Sequence, residues 1–373
     1  MHKAIHNETL RAALADRGWT QTQLAKALGV TSQAVTNWLK GSDFPRPATL
    51  LKLATTLKLS FDQLVQQPAE GQPVVAFRKR AGTKTTDEHL IKARAMGMLL
   101  KPLVAFLPEV RALRTLITSP STDYARLQVA ASQARAKLGL GELAALAYEQ
   151  LIAEFKTCGA VLVPVLWGQK KRHENALHIL LPQEDVTFIF LNLDTRLEDF
   201  KFWMAHELAH VYTPKLAGTE EGEDFADAFA AALLFPQACA GVAYHDAMRS
   251  PAAKEVSAMQ RHATKHQISL NTVYQQVKHY AHANGFPPLR VPEKTIHAVR
   301  NSGAAQLLSQ SLFDPAPPKP ARYIAACENI FQTPFFQALA RMIHENGTGT
   351  AYVQQVLDMS LQDAMALHEE LRV

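Results

Sequence analysis

Three short β-branched runs interrupt an otherwise helical pattern, and they limit what this chain can fold into. They are AVLVPVLWG at 160–168, ALHILLP at 176–182 and VTFIFLNLD at 186–194. Runs this rich in Val, Ile and Phe, bounded by turn-forming residues, read as strands of one small sheet. KKRHEN at 170–175 reads as the polar turn of a hairpin. On either side, apolar residues recur at three- and four-residue spacing, the period of a helix. This holds over 86–157, with a break near Gly139 and Gly141, and again from Arg196 onward. One small sheet among many helices predicts a mainly α fold of the α+β class.

At 373 residues the chain exceeds one ordinary core, so two or three domains are expected. QQPAEGQP at 66–73 breaks the helical pattern, and FDPAPPKP at 313–320 reads as a stiff connector. The expected division is an all-helical domain at 1–68, a helical connector at 69–130, a sheet-containing domain at 131–290 and a proline-linked helical module at 291–373. With 47% hydrophobic and 20% charged residues the composition is that of a folded chain rather than a disordered one. Cys158, Cys239 and Cys327 are too few and too scattered for a disulfide framework, which favours a reducing compartment. The opening MHKAIHNETLRAALADRG lacks the apolar core of a signal peptide, and no apolar run is long enough for a membrane span. A cytoplasmic protein without a membrane partner is the expectation. A net charge of +5 permits a nucleic-acid partner without requiring one.

TQTQLAKALGVTSQAVTNWLKG at 20–41 has the logic of a helix-turn-helix. Thr20 and Gln23 form a capping box, Leu24, Ala25 and Leu28 supply a buried face, and Gly29 makes the turn. Thr31 caps the second helix, and Val35 and Trp38 point inward. Its outward residues Ser32, Gln33, Thr36 and Asn37 carry hydrogen-bonding side chains suited to base edges, and Gln21 and Lys40 stand where phosphate contacts are expected. The stretch resembles the XRE-type helix-turn-helix family over about 8–66, with Leu39 standing where the family often has Glu. The resemblance implies operator DNA as a partner, bound as a dimer on paired half-sites.

The second chemical signal is His206-Glu207-Leu208-Ala209-His210 within KFWMAHELAHVY. Residues four apart share one helix face, so both imidazoles can reach one ion, while Glu207 can hold a water beside it. Downstream, Glu223 is the candidate third ligand, and Asp227, one turn later, is placed to accept a hydrogen bond from a ligand histidine. Two His and one Glu leave a fourth position open, as in catalytic rather than structural zinc sites. His262, His266, His279 and His282 fall in a region whose pattern reads as surface.

HELAH followed by EDFADAFAAALLFP resembles the ImmA/IrrE family of zinc metallo-endopeptidases over about 130–285, with FIFLN at 188–192 similar to its edge strand. Ala209 stands where the family often has Gly, and RLEDFKF carries fewer arginines than usual. The resemblance implies a zincin-like domain with zinc on His206, His210 and Glu223, Glu207 as general base, and a substrate extended along 187–193. Tyr212, His173, His178 and Arg196 are candidates for stabilising the oxyanion. The expected function is a DNA-binding regulator that cleaves a repressor or antitoxin-like protein, its own chain included. Two other readings suit the same residues: a ligand- or metal-sensing transcription factor without catalysis, and an antitoxin-like DNA binder using the rest of the chain as an interaction platform.

Overall fold

The chain divides into two units, Met1–Gln72 and Pro73–Val373. The structure is a computed structural model and describes residues 4–39, 43–66, 72–76, 87–109, 116–168, 176–302 and 307–372. Lys40 and the expected turn at 170–175, with His173, lie outside these residues.

In the first unit β1 (Ala4–Ile5) precedes α1 (Asn7–Asp16), α2 (Gln21–Leu28), α3 (Ser32–Leu39), α4 (Pro47–Leu57), α5 (Phe61–Leu64) and β2 (Val65–Gln66). Thr20 and Gln23 close the capping box of α2, each side chain bonding the other's backbone N–H. Gly29 ends α2 at φ 73°, a left-handed conformation open to glycine at no steric cost. The Thr31 hydroxyl accepts from Ala34 N–H and starts α3. Leu24, Ala25, Leu28, Val35 and Trp38 join Leu10, Leu53 and Leu64 in one core. The β1–β2 pairing, Ala4 opposite Gln66, ties the two ends of the unit together. Strands of two residues have no readable period, so this pairing is not visible in the sequence.

The second unit is built on a four-stranded sheet. Its strands are β3 (Val74–Ala76), β4 (Ala160–Val165), β5 (Ala176–Leu181) and β6 (Val186–Asn192), in the spatial order β3-β5-β6-β4. β5 is antiparallel to both β3 and β6, and β4 is parallel to β6. β6 is thus an inner strand with both edges paired. This corrects the expectation of an edge strand at 188–192 and of a substrate along 187–193: its backbone groups are already used.

Helices surround the sheet: α6 (Asp87–Leu100), α7 (Tyr124–Lys137), α8 (Tyr148–Thr157), α9 (Leu197–Tyr212), α10 (Glu220–Leu234), α11 (Gln237–Arg249), α12 (Glu255–His266) and α13 (Leu270–Ala283). After them come α14 (Glu293–Ser302), α15 (Leu308–Leu312), α16 (Pro320–Asn329), α17 (Phe335–Asn346), α18 (Thr350–Leu357) and α19 (Leu361–Leu371). Elements from the expected connector and from the expected C-terminal module share one hydrophobic core with the sheet, from Val75 and Met96 through Phe190 to Leu371. The outer edge of β4 shows how: Tyr323 and Thr333 donate hydroxyl hydrogen bonds to the carbonyls of Pro164 and Leu162. Trp167 donates to Leu357 O at 2.9 Å, and Tyr352 donates to Leu99 O at 2.6 Å, joining α18 to α6. Among the described residues no single helix is long and apolar enough to cross a membrane. The three cysteines are buried, and no disulfide links them.

These side-chain caps yield the first expected outcome. A chain ending at residue 290 leaves the outer β4 carbonyls without donors, at about 1–3 kcal/mol for each buried group. It also bares one side of the core. The truncated chain is expected to lose the near-ultraviolet circular dichroism of the second unit and to bind a hydrophobic dye. A native spectrum would show that 73–290 folds alone.

Candidate metal centre

α9 lies largely in the interior, with Met204, Ala205, Leu208 and Ala209 fully buried. α10 packs against it through Phe225, Ala226 and Phe229. The start of α10 is set by its N-cap, where the Thr219 hydroxyl accepts from Gly222 N–H at 3.0 Å. Gly222 lets this turn close on Pro214–Leu216: a Cβ there would come 2.2 Å from Leu216 O. Only with that close approach does Glu223 face α9. Sequence reasoning overlooked Gly222, although a glycine inside the first turn of a helix is a recognisable signal.

Between these apolar faces three donors converge. His206 Nε2 and His210 Nε2 are 3.2 Å apart. Glu223 Oε2 lies 3.4 Å from His206 Nε2, and Glu223 Oε1 lies 3.4 Å from His210 Nε2. Both histidines are buried, and neither oxygen of Glu223 makes a hydrogen bond. A tetrahedral ion with bonds of ~2.0–2.1 Å spaces its ligands about 3.3 Å apart. The three edges of this triangle fit that spacing, and the unbonded Glu223 oxygens fit a site whose partner is a cation. Neutral imidazoles and a carboxylate are the ligand types that zinc takes.

Asp227 Oδ1 lies 2.9 Å from His206 Nδ1. That bond holds the Nδ1 proton and leaves Nε2 facing the other donors. Burial alone would lower the His206 pKa, but the hydrogen bond to Asp227 and the nearby carboxylates of Glu223 and Glu207 outweigh it and raise it to about 9. Burial would likewise raise the Glu223 pKa, and the two imidazoles bring it down to about 2. Glu207 is buried beside this group, and its Oε2 has no hydrogen-bond partner. His178 on β5 lies close to that oxygen, with Nδ1 3.4 Å away. Burial holds the His178 pKa below its usual value.

Tyr212 and Arg196, the other described oxyanion candidates, fall elsewhere. Tyr212 is buried on the far side of α9 and donates to Glu154 at 2.8 Å. Two residues past His210 is a rotation of about 200° on a helix, which turns its side chain away. Arg196 precedes α9 and faces Glu198 at 3.9 Å. His266 corrects the surface expectation for its region: it is buried against Phe235, with ring centroids 5.1 Å apart. Its carbonyl accepts from the buried Lys201 ammonium at 2.6 Å, a long-range bond that helical spacing does not reveal.

In the first unit, Ser32 and Gln33 are exposed on α3 and Thr36 and Asn37 half-exposed, opposite Val35 and Trp38. Gln33 donates to Asn37 at 2.9 Å, and Thr36 donates to Gln21 at 3.0 Å. The five polar side chains therefore form one organised patch.

Residues 10–64 match the helix-turn-helix family model, and residues 167–278 match that of the IrrE N-terminal-like domain. The chain joins an XRE-type helix-turn-helix domain to an ImmA/IrrE-like peptidase domain. The IrrE-like match takes in β5, β6, α9 and α10, and with them every side chain of the donor triangle. No curated protein and no solved structure matches the chain closely enough to extend these assignments.

The raised His206 pKa makes ion uptake by the IrrE-like domain pH-dependent. The proton must leave for a cation to bind, so apparent metal affinity is expected to rise up to about tenfold per pH unit and level off near pH 9. The metal-free chain shows the opposite sign. A folded-state pKa above the unfolded value of 6.5 gives stability that is complete below 6.5 and lost as pH rises through about 9. Asp227→Asn is expected to shift both transitions down and to weaken metal binding by about 10–100-fold. Competition titration with a chelating dye across pH 6–10 checks both; an affinity independent of pH would contradict the assignment.

Proposed function

We propose that the chain is a DNA-binding regulator whose IrrE-like domain is a zinc endopeptidase acting on a repressor or antitoxin-type protein. The observation that carries this reading is the donor triangle with the buried Glu207 carboxylate beside it, whose Oε2 makes no hydrogen bond. A structural zinc site would close all four positions with protein ligands, whereas here three donors converge and a potential base stands alongside.

His206, His210 and Glu223 would hold the ion. When bound there, zinc would supply the Lewis acidity that makes a water a nucleophile near neutral pH. Glu207 Oε2 takes the proton of the attacking water as it adds to the peptide carbonyl, and returns it to the leaving amine nitrogen. Asp227 fixes the His206 tautomer, so that Nε2 stays available through the cycle. His178, close to Glu207, is the best-placed of the three described candidates to donate to the oxyanion. The apolar faces of α9 and α10 exclude bulk water and strengthen each of these interactions.

The first unit would bring this activity to an operator. Gln33, Thr36 and Asn37 would read base edges from α3, and Gln21 and Lys40 would contact phosphates. A dimer on paired half-sites is the arrangement usual for such units. Gln33→Ala is expected to cost about 1–3 kcal/mol of operator affinity and to relax preference at one base position, as read by a binding-site selection.

Cleavage is tested with zinc-loaded chain and the repressor-like proteins encoded beside it. Glu207→Gln is expected to keep metal and abolish cleavage, and His206→Ala to lose both. Cleavage that survives Glu207→Gln would sink the mechanism. Operator release that follows metal but ignores Glu207→Gln would mark the second unit as a sensor instead.

A further inference from the structure

An extended substrate reaching Glu207 needs a free strand edge next to it. β6 is paired on both sides, and the outer edge of β4 is capped by Tyr323 and Thr333 at the other end of the sheet. The outer edge of β5 is the one that borders the catalytic glutamate, through His178. That edge is already taken by a piece of the same chain.

β3 runs antiparallel along β5, with Val74 opposite Leu180, Val75 opposite Ile179 and Ala76 opposite His178. Ala76 therefore stands directly across the ladder from the residue that lies 3.4 Å from Glu207. On its other side, β3 presses against the turn that leads into α10. Gly218 has φ +73°, and a Cβ there would sit 3.0 Å from the carbonyl oxygen of Val75. Gly218 precedes the Thr219 N-cap of the helix that carries Glu223. Pro73 seats against Gly97 of α6, and Val75 and Ala76 are buried. The segment thus fills a cleft whose two walls, the β5 edge and the start of α10, carry His178 and Glu223.

Three residues of ladder form a weak strand on their own, well below the usual strand length of about five to six. A longer extended peptide would make the same bonds with β5 and more. β3 also begins where the first unit ends, at Pro73 after Gln72.

We propose that Val74–Ala76 is a built-in strap: it occupies the substrate edge of β5 as a pseudosubstrate and must leave before another chain can bind there. This rests on the peptidase reading for the identity of the displaced ligand. The recognised class is an extended segment with small or β-branched apolar side chains, of which Pro73-Val74-Val75-Ala76 is the resident example.

The test measures binding apart from cleavage. The probe is a fluorescein-labelled peptide of residues 72–76, QPVVA, titrated by anisotropy against the zinc-loaded full chain carrying Glu207→Gln, so that nothing is cut. Adjacent strand residues point their N–H groups in opposite directions, so Val74→Pro with Val75→Pro removes a ladder donor in either phase. This release variant is expected to bind the probe at least about tenfold tighter than its parent. As a second variant, Val75→Cys with Ile179→Cys places a cysteine pair across the ladder. Oxidised, it should bind the probe more weakly than when reduced, and reductant should restore binding. A release variant with an unchanged thermal melt but no gain in affinity would overturn the strap, as would a lock whose oxidation changes nothing. If the release variant fails to fold, the lock decides. Cleavage by the same strap variants with Glu207 intact is read separately: a gain in probe binding without Glu207-dependent cleavage supports the strap and sinks the peptidase.

Discussion

Two imidazoles and a carboxylate buried between apolar helices are costly unless they satisfy one another or a cation. The arrangement of α9 and α10 follows from that constraint. His206 and His210 lie on one face of α9, and Glu223 reaches them from α10 across 3.4 Å. Asp227 ties the outer nitrogen of His206, and Gly222 lets the α10 turn come close enough for Glu223 to arrive. The apolar residues around the triangle hold the donors apart from water at a spacing that suits a tetrahedral ion. Packing and coordination are here one problem: moving either helix by an ångström would break both.

The sheet imposes the second constraint. Its ends expose backbone groups that must be satisfied or they invite other strands. At β4 this is done with side chains, Tyr323 and Thr333 donating to main-chain carbonyls. At β5 it is done with another strand. The two solutions differ in consequence. Side-chain caps bind the C-terminal helices into the core, whereas a three-residue strand of the same chain covers the edge next to Glu207.

Much of the site was legible in the sequence because its chemistry is local. His206 and His210 are related by one helical turn, Glu223 and Asp227 by another, and Thr20 with Gln23 form a cap within four residues. The β4, β5 and β6 runs carry enough β-branched residues to stand out from helices. What escaped depended on distant partners. Val74–Ala76 is too short to show a period, His266 is buried only because α12 turns it toward Phe235, and Tyr212 bonds Glu154 rather than facing the site. The inner position of β6 could not be read either, since strand order is a matter of pairing, not of composition.

By itself the sequence determined which side chains could bind metal, which helix could enter DNA and three of the four strands of the sheet, because spacing along a helix and β-branched content are short-range properties. Only the tertiary structure decided that Glu223 meets both histidines at once, that residues from Pro73 to the C-terminal helices share one core, and that the strand edge nearest Glu207 is filled from within. Those outcomes depend on which backbone edges and apolar faces come together across long stretches of chain, and no local pattern encodes that choice.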